Sequence, residues 1–165
     1  MVNQEYLNKI FEYNKETGVL IWKVTRSSKV KCGMIAGSLN PHNGGYIQVI
    51  FNKRAYYAHK IIWEMIYGER PKYLDHIDGN RANNRLNNLR SVNASQNACN
   101  SRVSKRNTTG YKGVHWNKQR NKWTVFVRKN RKLHYGGAYI NLIDAIQCAI
   151  QLRIKLHGEY CNHAL

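Results

Sequence analysis

Acidic side chains are scarce in this chain of 165 residues: nine Asp and Glu stand against 27 Lys and Arg, a formal net charge of +18 at pH 7. A surplus of that size is the electrostatic footprint of a protein that works on a polyanion. Long apolar runs are missing too. Nothing approaches a membrane span, and the N-terminal stretch MVNQEYLNKI lacks the basic region and apolar run of a signal peptide. No basic amphipathic helix with an aromatic face is present to suit an anionic membrane. The expectation is a soluble, intracellular, cytoplasmic protein without a membrane partner. Cysteines are few and scattered (Cys32, Cys99, Cys148, Cys161), with none at C-x-x-C spacing. That spacing suggests neither a zinc ribbon nor a disulfide framework, and the four read as ordinary reduced thiols.

What is present is unevenly spread. Residues 101–165 carry a net charge of +11 and residues 1–100 a net +7, so the C-terminal third is the expected nucleic-acid grip. Residues 5–57 read as β structure with turns: Gly18 precedes Val19-Leu20-Ile21-Trp22, and Asn43-Gly44-Gly45 precedes Tyr46–Phe51. Asn52-Lys53-Arg54 reads as a hairpin turn into Ala55-Tyr56-Tyr57. A short helix follows from about His59 to Tyr67, with Ile61, Ile62, Met65 and Ile66 on one apolar face and Gly68 and Pro71 as its stop. From Tyr73 to Asn100 asparagine dominates, which favours turns and caps; this segment reads as a loop between two short strands, then a helix starting near Asn93. Asn100–Gly110 is polar and basic and reads as a linker. Three strands are expected at 113–116, 122–128 and 132–139. In the middle one, Trp123, Val125 and Val127 face the core while Lys122, Thr124, Phe126 and Arg128 face outward. A helix capped by Asn141 spans about Leu142–Leu156 and can cover one face of that sheet. Arg153 falls inside its apolar arc, which suggests snorkelling or contact with the helix C-terminus.

The densest chemistry lies in Asp75-His76-Ile77-Asp78-Gly79-Asn80, followed 12 and 21 positions after His76 by Asn88 and Asn97. Hydrolysis of a phosphodiester needs a base to deprotonate water and a means of neutralising developing charge. An imidazole with its ordinary pKa near 6.5 suits the first task, which makes His76 the candidate base. Asp75 is its neighbour, but on a strand the two point to opposite faces, and a local bend is needed to bring both to one site. Asp78 is either a second carboxylate near a metal or a turn former before Gly79. His59 reads as structural, and His115 and His134 lie far in sequence from any ligand partner.

Asp75-His76, the Asp78-Gly79-Asn80 turn, Asn83-Asn84, Asn88-Leu89-Arg90 and Asn97 closely resemble the HNH motif of phage and intron-encoded homing endonucleases. The similarity extends upstream through His59-Lys60-Ile61-Ile62-Trp63. The resemblance implies a ββα-metal finger with His76 as general base, Asp75 and Asn97 as metal ligands, and Asn88 as the residue that braces the loop and orients His76. Asn93 is the alternative helix-borne ligand if the helix register differs. Bacterial toxin relatives have a histidine where this chain has Asn97, so both implied ligands are oxygen donors, which suits one Mg2+ or Mn2+ per active site better than zinc or nickel.

Gly110-Tyr111-Lys112-Gly113-Val114-His115-Trp116, Lys122-Trp123, Gly137-Ala138-Tyr139, Asp144-Ala145 and Leu156–Tyr160 resemble the DNA-binding domain of the plant ethylene-response factors. That family lays a three-stranded antiparallel sheet in the major groove with a helix behind it. The resemblance implies Lys112, His115, Lys122, Arg128 and Tyr135 as groove contacts, with Arg120, Arg131 and Lys132 nearer phosphates. This chain has His115 and Tyr135 where the plant pattern uses arginine and tryptophan, so base preference does not transfer.

The expected fold is α+β: a small β region (1–58), an HNH ββα-metal core (59–103) and a three-stranded sheet packed on one helix (104–165). The expected function is a homing-type, site-directed endonuclease of phage or bacterial hosts that nicks double-stranded DNA as a monomer or weak dimer, with no obligate protein partner. The rival readings are a catalytically silent, sequence-specific DNA-binding regulator and an RNA-binding accessory protein.

Overall fold

The structure is a computed structural model that describes residues 3–101, 103 and 107–161, apart from the side chain of Glu159. Arg102 and residues 104–106 of the expected linker lie outside the described residues. The chain divides into two compact units, Met1–Val92 and Asn93–Leu165. The helix expected near Asn93 therefore groups with the C-terminal residues rather than with the strands that precede it.

The first unit opens with α1 (Gln4–Ile10), a helix where β structure was expected. Its signals are local. The Asn3 side chain accepts from the Tyr6 amide, Glu5 sits in the first turn and Lys9 in the last, and Leu7 and Ile10 are buried at helical spacing. With two buried residues in seven, the period is too short to stand out from sequence alone. Next come β1 (Phe11–Asn14) and β2 (Val19–Trp22), an antiparallel hairpin, then the meander β3 (Ser38–Asn40), β4 (Tyr46–Phe51) and β5 (Arg54–Tyr57). Between β4 and β5 the turn residues Asn52 and Lys53 both have positive φ, as a two-residue type I′ hairpin requires.

Helix α2 (Ala58–Tyr67) ends at Gly68, whose φ of 72° provides the left-handed cap. Its buried face is Ile61, Ile62, Trp63 and Met65, whereas Ile66 is exposed, so the expected apolar face is rotated by the inclusion of Trp63. Leu7, Phe11, Trp22, Phe51 and Ile62 share one core, in which the rings of Phe11, Trp22 and Phe51 lie 4.6 to 6.5 Å apart. A smaller cluster of Trp63, Leu74 and Leu89 ties α2 to the last pair of strands, β6 (Tyr73–His76) and β7 (Leu89–Val92). This attachment sets the position of the Asp75-His76 strand.

In the second unit, α3 (Ala94–Asn100) starts from a complete capping box between Asn93 and Gln96. Strands β8 (Val114–Asn117), β9 (Lys122–Lys129) and β10 (Lys132–Tyr139) form an antiparallel sheet in the order β10-β9-β8. Helix α4 (Leu142–His157), capped by Asn141, packs on it through Ala145 and Ala149 against Val114 and Val125. Two expectations are corrected here. Thr124 does not face outward to solvent: it is buried, and its hydroxyl donates to the His115 carbonyl at 3.1 Å. Arg153 does not snorkel: it is buried and donates to the Cys99 carbonyl at 3.3 Å. Cys99 and Cys161, remote in sequence, bring their sulfurs to 2.9 Å. The hydrogen bond from Cys99, helped by Arg153, lowers the Cys161 thiol to about 6 against the effect of burial, while Cys99 is pushed up.

Candidate active site

Antiparallel pairing sets Asp75 opposite Arg90 and His76 opposite Leu89. Successive side chains of a strand alternate faces, and the two functional groups have different surroundings accordingly. The Asp75 carboxylate, nearly buried, accepts from Arg90 Nε and Nη2 at 3.2 and 3.1 Å. The His76 imidazole, 3% exposed, lies with Nε2 3.0 Å from Asn84 Oδ1 and meets the His59 ring edge-on at 5.0 Å. Tyr46 borders the same rings, 5.1 Å from His59 and 5.9 Å from His76, and the Arg81 guanidinium lies over the Tyr46 face.

Burial lowers the His76 pKa, with the Asn84 bond and the Asp78 and Asp75 charges opposing it. The imidazole is therefore neutral at pH 7 and holds a lone pair, as a base requires. His59 is lowered further, to about 3, by burial and by the neighbouring His76, and its Nδ1 has no hydrogen-bond partner among the described residues.

Loop 77–88 is built around Asn88. Its Nδ2 donates to Asp78 Oδ1 at 2.9 Å and to the Asn83 carbonyl at 2.8 Å, and its Oδ1 accepts from the Asp78 amide at 3.0 Å. Asp78 also accepts from the Asn80 amide and from Asn83 Nδ2, at 2.7 and 2.8 Å. Burial alone would raise the Asp78 carboxyl, but these hydrogen bonds outweigh it and hold the group below its ordinary range. Asp78 is thus committed to the turn, which Gly79 completes at a φ of 71°. Asn93 is likewise committed: its side chain accepts from the Gln96 amide at 2.9 Å as the cap of α3. Asn97 lies on the same helix, in the second unit.

Oxygen donors, a carboxylate and amides, fit a hard divalent cation such as Mg2+. Among the described residues no three His, Cys, Asp or Glu side chains cluster in a metal-binding arrangement.

The basic residues expected to meet DNA are distributed over the second unit. Cross-strand register sets His115 beside Thr124, Phe126 beside Tyr135, and Arg128 beside Leu133 on the sheet face away from α4. His115, Arg128 and Tyr135 are exposed there, and Lys122 is half-buried at the edge of the same face. Arg120 lies in the β8–β9 turn, Arg131 in the β9–β10 turn and Lys132 at the start of β10, all exposed. Lys112 is half-buried, with its ammonium on the Cys99 carbonyl at 3.1 Å, and burial and nearby Arg153 lower its pKa. Asn84 and Tyr46 were not expected at the site; the doubled asparagine at 83–84 was a visible signal, whereas Tyr46 comes from a distant strand and gave none.

Among the described residues no helix is long and apolar enough to cross a membrane. No solved structure matches the chain. Residues 56–99 match the HNH endonuclease family. Protein 3.8 of Escherichia phage T7 is similar to this chain, 36% identical over 106 residues that cover 63% of this chain and 87% of that protein. The Asp75-His76 strand, the asparagine-braced loop and the capped helix α3 all fall in or on the edge of the matched segment, and the chain belongs to the family of T7 protein 3.8 with an HNH endonuclease domain, a nuclease of DNA, at residues 56–99.

Proposed function

We propose that the protein is a site-directed, homing-type DNA endonuclease that nicks one strand with one divalent metal ion per site. The observation that carries this reading is a buried His76, held by Asn84, beside an Asn88-braced loop inside the HNH-matched segment. His76 removes a proton from the attacking water. Asn88 keeps the loop that follows His76 in a single path. Asp75 and Asn97, both oxygen donors, would hold Mg2+ or Mn2+, an assignment taken from the resemblance. When bound, the ion supplies charge neutralisation at the phosphate and the leaving oxygen. The sheet of the second unit, with His115, Lys122, Arg128 and Tyr135 on one face and Arg120, Arg131 and Lys132 around it, sets position on the duplex in the manner of the plant ethylene-response-factor domain; Lys112, expected as a further groove contact, lies in the segment before β8. One base and one metal make a single-strand cut per binding event.

Incubation of circular plasmid carrying the cognate site with Mg2+ or Mn2+ should give nicked circles, and EDTA should prevent them. His76→Ala should lower the nicking rate by at least about 100-fold, the usual worth of a general base, while binding to the same DNA is retained. Undiminished nicking by this variant would overturn the mechanism, and DNA binding without nicking by the unaltered protein would favour the regulator.

A further inference from the structure

The loop between β6 and β7 carries a second buried amide. Asn84 is 3% exposed and its side-chain oxygen lies 3.0 Å from His76 Nε2. An amide oxygen only accepts, so Nε2 must carry the hydrogen, and a neutral imidazole has one. The lone pair is then on Nδ1.

Asn84 is itself held from the N-terminal hairpin. The Tyr13 hydroxyl donates to the Asn84 carbonyl and accepts from the Leu86 amide, both at 3.1 Å, and Arg85 Nε donates to the Glu16 carbonyl at 2.7 Å. Gly18, at a φ of +76°, lies so close beneath the loop that a Cβ there would stand 2.7 Å from the Arg85 nitrogen and 2.9 Å from the Asn84 carbonyl carbon. The β1–β2 hairpin therefore dictates the chain path at 84–86, although it lies outside the HNH-matched residues.

We propose that Asn84 is a positioning residue for the nuclease: its side-chain oxygen fixes His76 in the tautomer that presents Nδ1 as the base, and the β1–β2 hairpin fixes Asn84. This rests on the reading of His76 as general base. In the reaction the water proton goes to Nδ1 while Nε2 keeps its own, and the Nε2–H bond to Asn84 becomes charge-assisted and shorter as the imidazolium forms. Asn84 thus holds the ring in place beforehand and favours the charged state that the reaction creates.

The test combines 15N NMR of the full chain, labelled at histidine, with the turnover of plasmid nicking and DNA affinity. His76 in the unaltered protein should show a protonated Nε2 and an unprotonated Nδ1, with the resonances identified by their loss in His76→Gln. Asn84→Leu should relax that tautomer preference and lower turnover at saturating DNA by about 10- to 100-fold, as for other residues that orient a functional imidazole, with DNA affinity unchanged. The near-isosteric Asn84→Asp, which keeps an acceptor oxygen toward Nε2, should keep Nε2 protonated and Nδ1 unprotonated. Tyr13→Phe, which keeps the ring but removes the hydroxyl, should follow Asn84→Leu with a smaller effect. An Nδ1-protonated tautomer in the unaltered protein, or a tautomer preference that Asn84→Leu leaves unchanged, would overturn the proposal. Failure of the unaltered protein to nick any DNA would overturn the endonuclease reading, while the NMR measurement still decides the tautomer.

Discussion

Two imidazoles, His59 and His76, are packed edge to face in a pocket bordered by Tyr46 and Asn84. In the unfolded chain each takes up a proton near its ordinary value of 6.5; in the fold burial holds His76 lower and His59 near 3. Below pH 6.5 the unfolded state therefore binds more protons than the folded one, so the stability is fully present above that pH and is lost as the pH falls toward the folded values, by about 1.4 kcal/mol per pH unit for His59. Denaturant melts from about pH 7.5 to about pH 4.5 should show a midpoint that drops below 6.5, and His59→Gln should drop less steeply. A midpoint that is flat across this window would contradict the buried neutral pair. The sequence marked His76 as the candidate base because its neighbours match a known pattern; that His59 shares its pocket depended on α2 being docked on β6 through Trp63 and Leu74, a packing no local pattern encodes.

Strand β9 ends in a two-residue turn in which Asn130 and Arg131 have φ of 49° and 67°. A left-handed arginine costs about 1 kcal/mol relative to glycine, so local propensity argues against the residue found there. Arg131→Gly should therefore raise the melting temperature, by the equivalent of about 0.5 to 1 kcal/mol, while weakening duplex binding if the guanidinium meets a phosphate. Higher stability with unaltered DNA affinity would assign Arg131 to the turn alone. The strands themselves were legible: period-two alternation located β9 and its core face, and all three strand ranges were anticipated, whereas the left-handed turn at Asn130 and Arg131 was not. Alternation did not reveal that Thr124 is covered, because burial on the outer face depends on what crosses it; there the hydroxyl closes onto the His115 carbonyl. Helix α1 was missed because its apolar face is only two residues long.

Across the whole molecule the chain falls into units that meet at 92 and 93, and α3 belongs with the basic sheet. The Cys99 carbonyl at its end accepts from both Lys112 and Arg153, so a truncation before residue 107 would remove the partners of α3 along with the sheet. Charge is better tested in the full chain. Neutralising Arg128, Arg131 and Lys132 together to Gln should flatten the dependence of duplex affinity on salt, by about 0.9 log unit per log unit of salt for each phosphate no longer neutralised. An unchanged slope would place the phosphate-binding residues elsewhere on the protein.

The amino-acid sequence by itself determined the nucleic-acid character, the Asp75-His76 and asparagine pattern, and most strands and caps, because net charge, motif spacing and short-range periodicity are properties of neighbouring residues. The tertiary structure decided which residues surround His76. Asn84, Tyr46 and His59 reach it from a loop, a strand and a helix, and Tyr13 and Gly18 set that loop from about 70 residues away in the chain. Interactions over such separations are made by packing and leave no signature in local sequence.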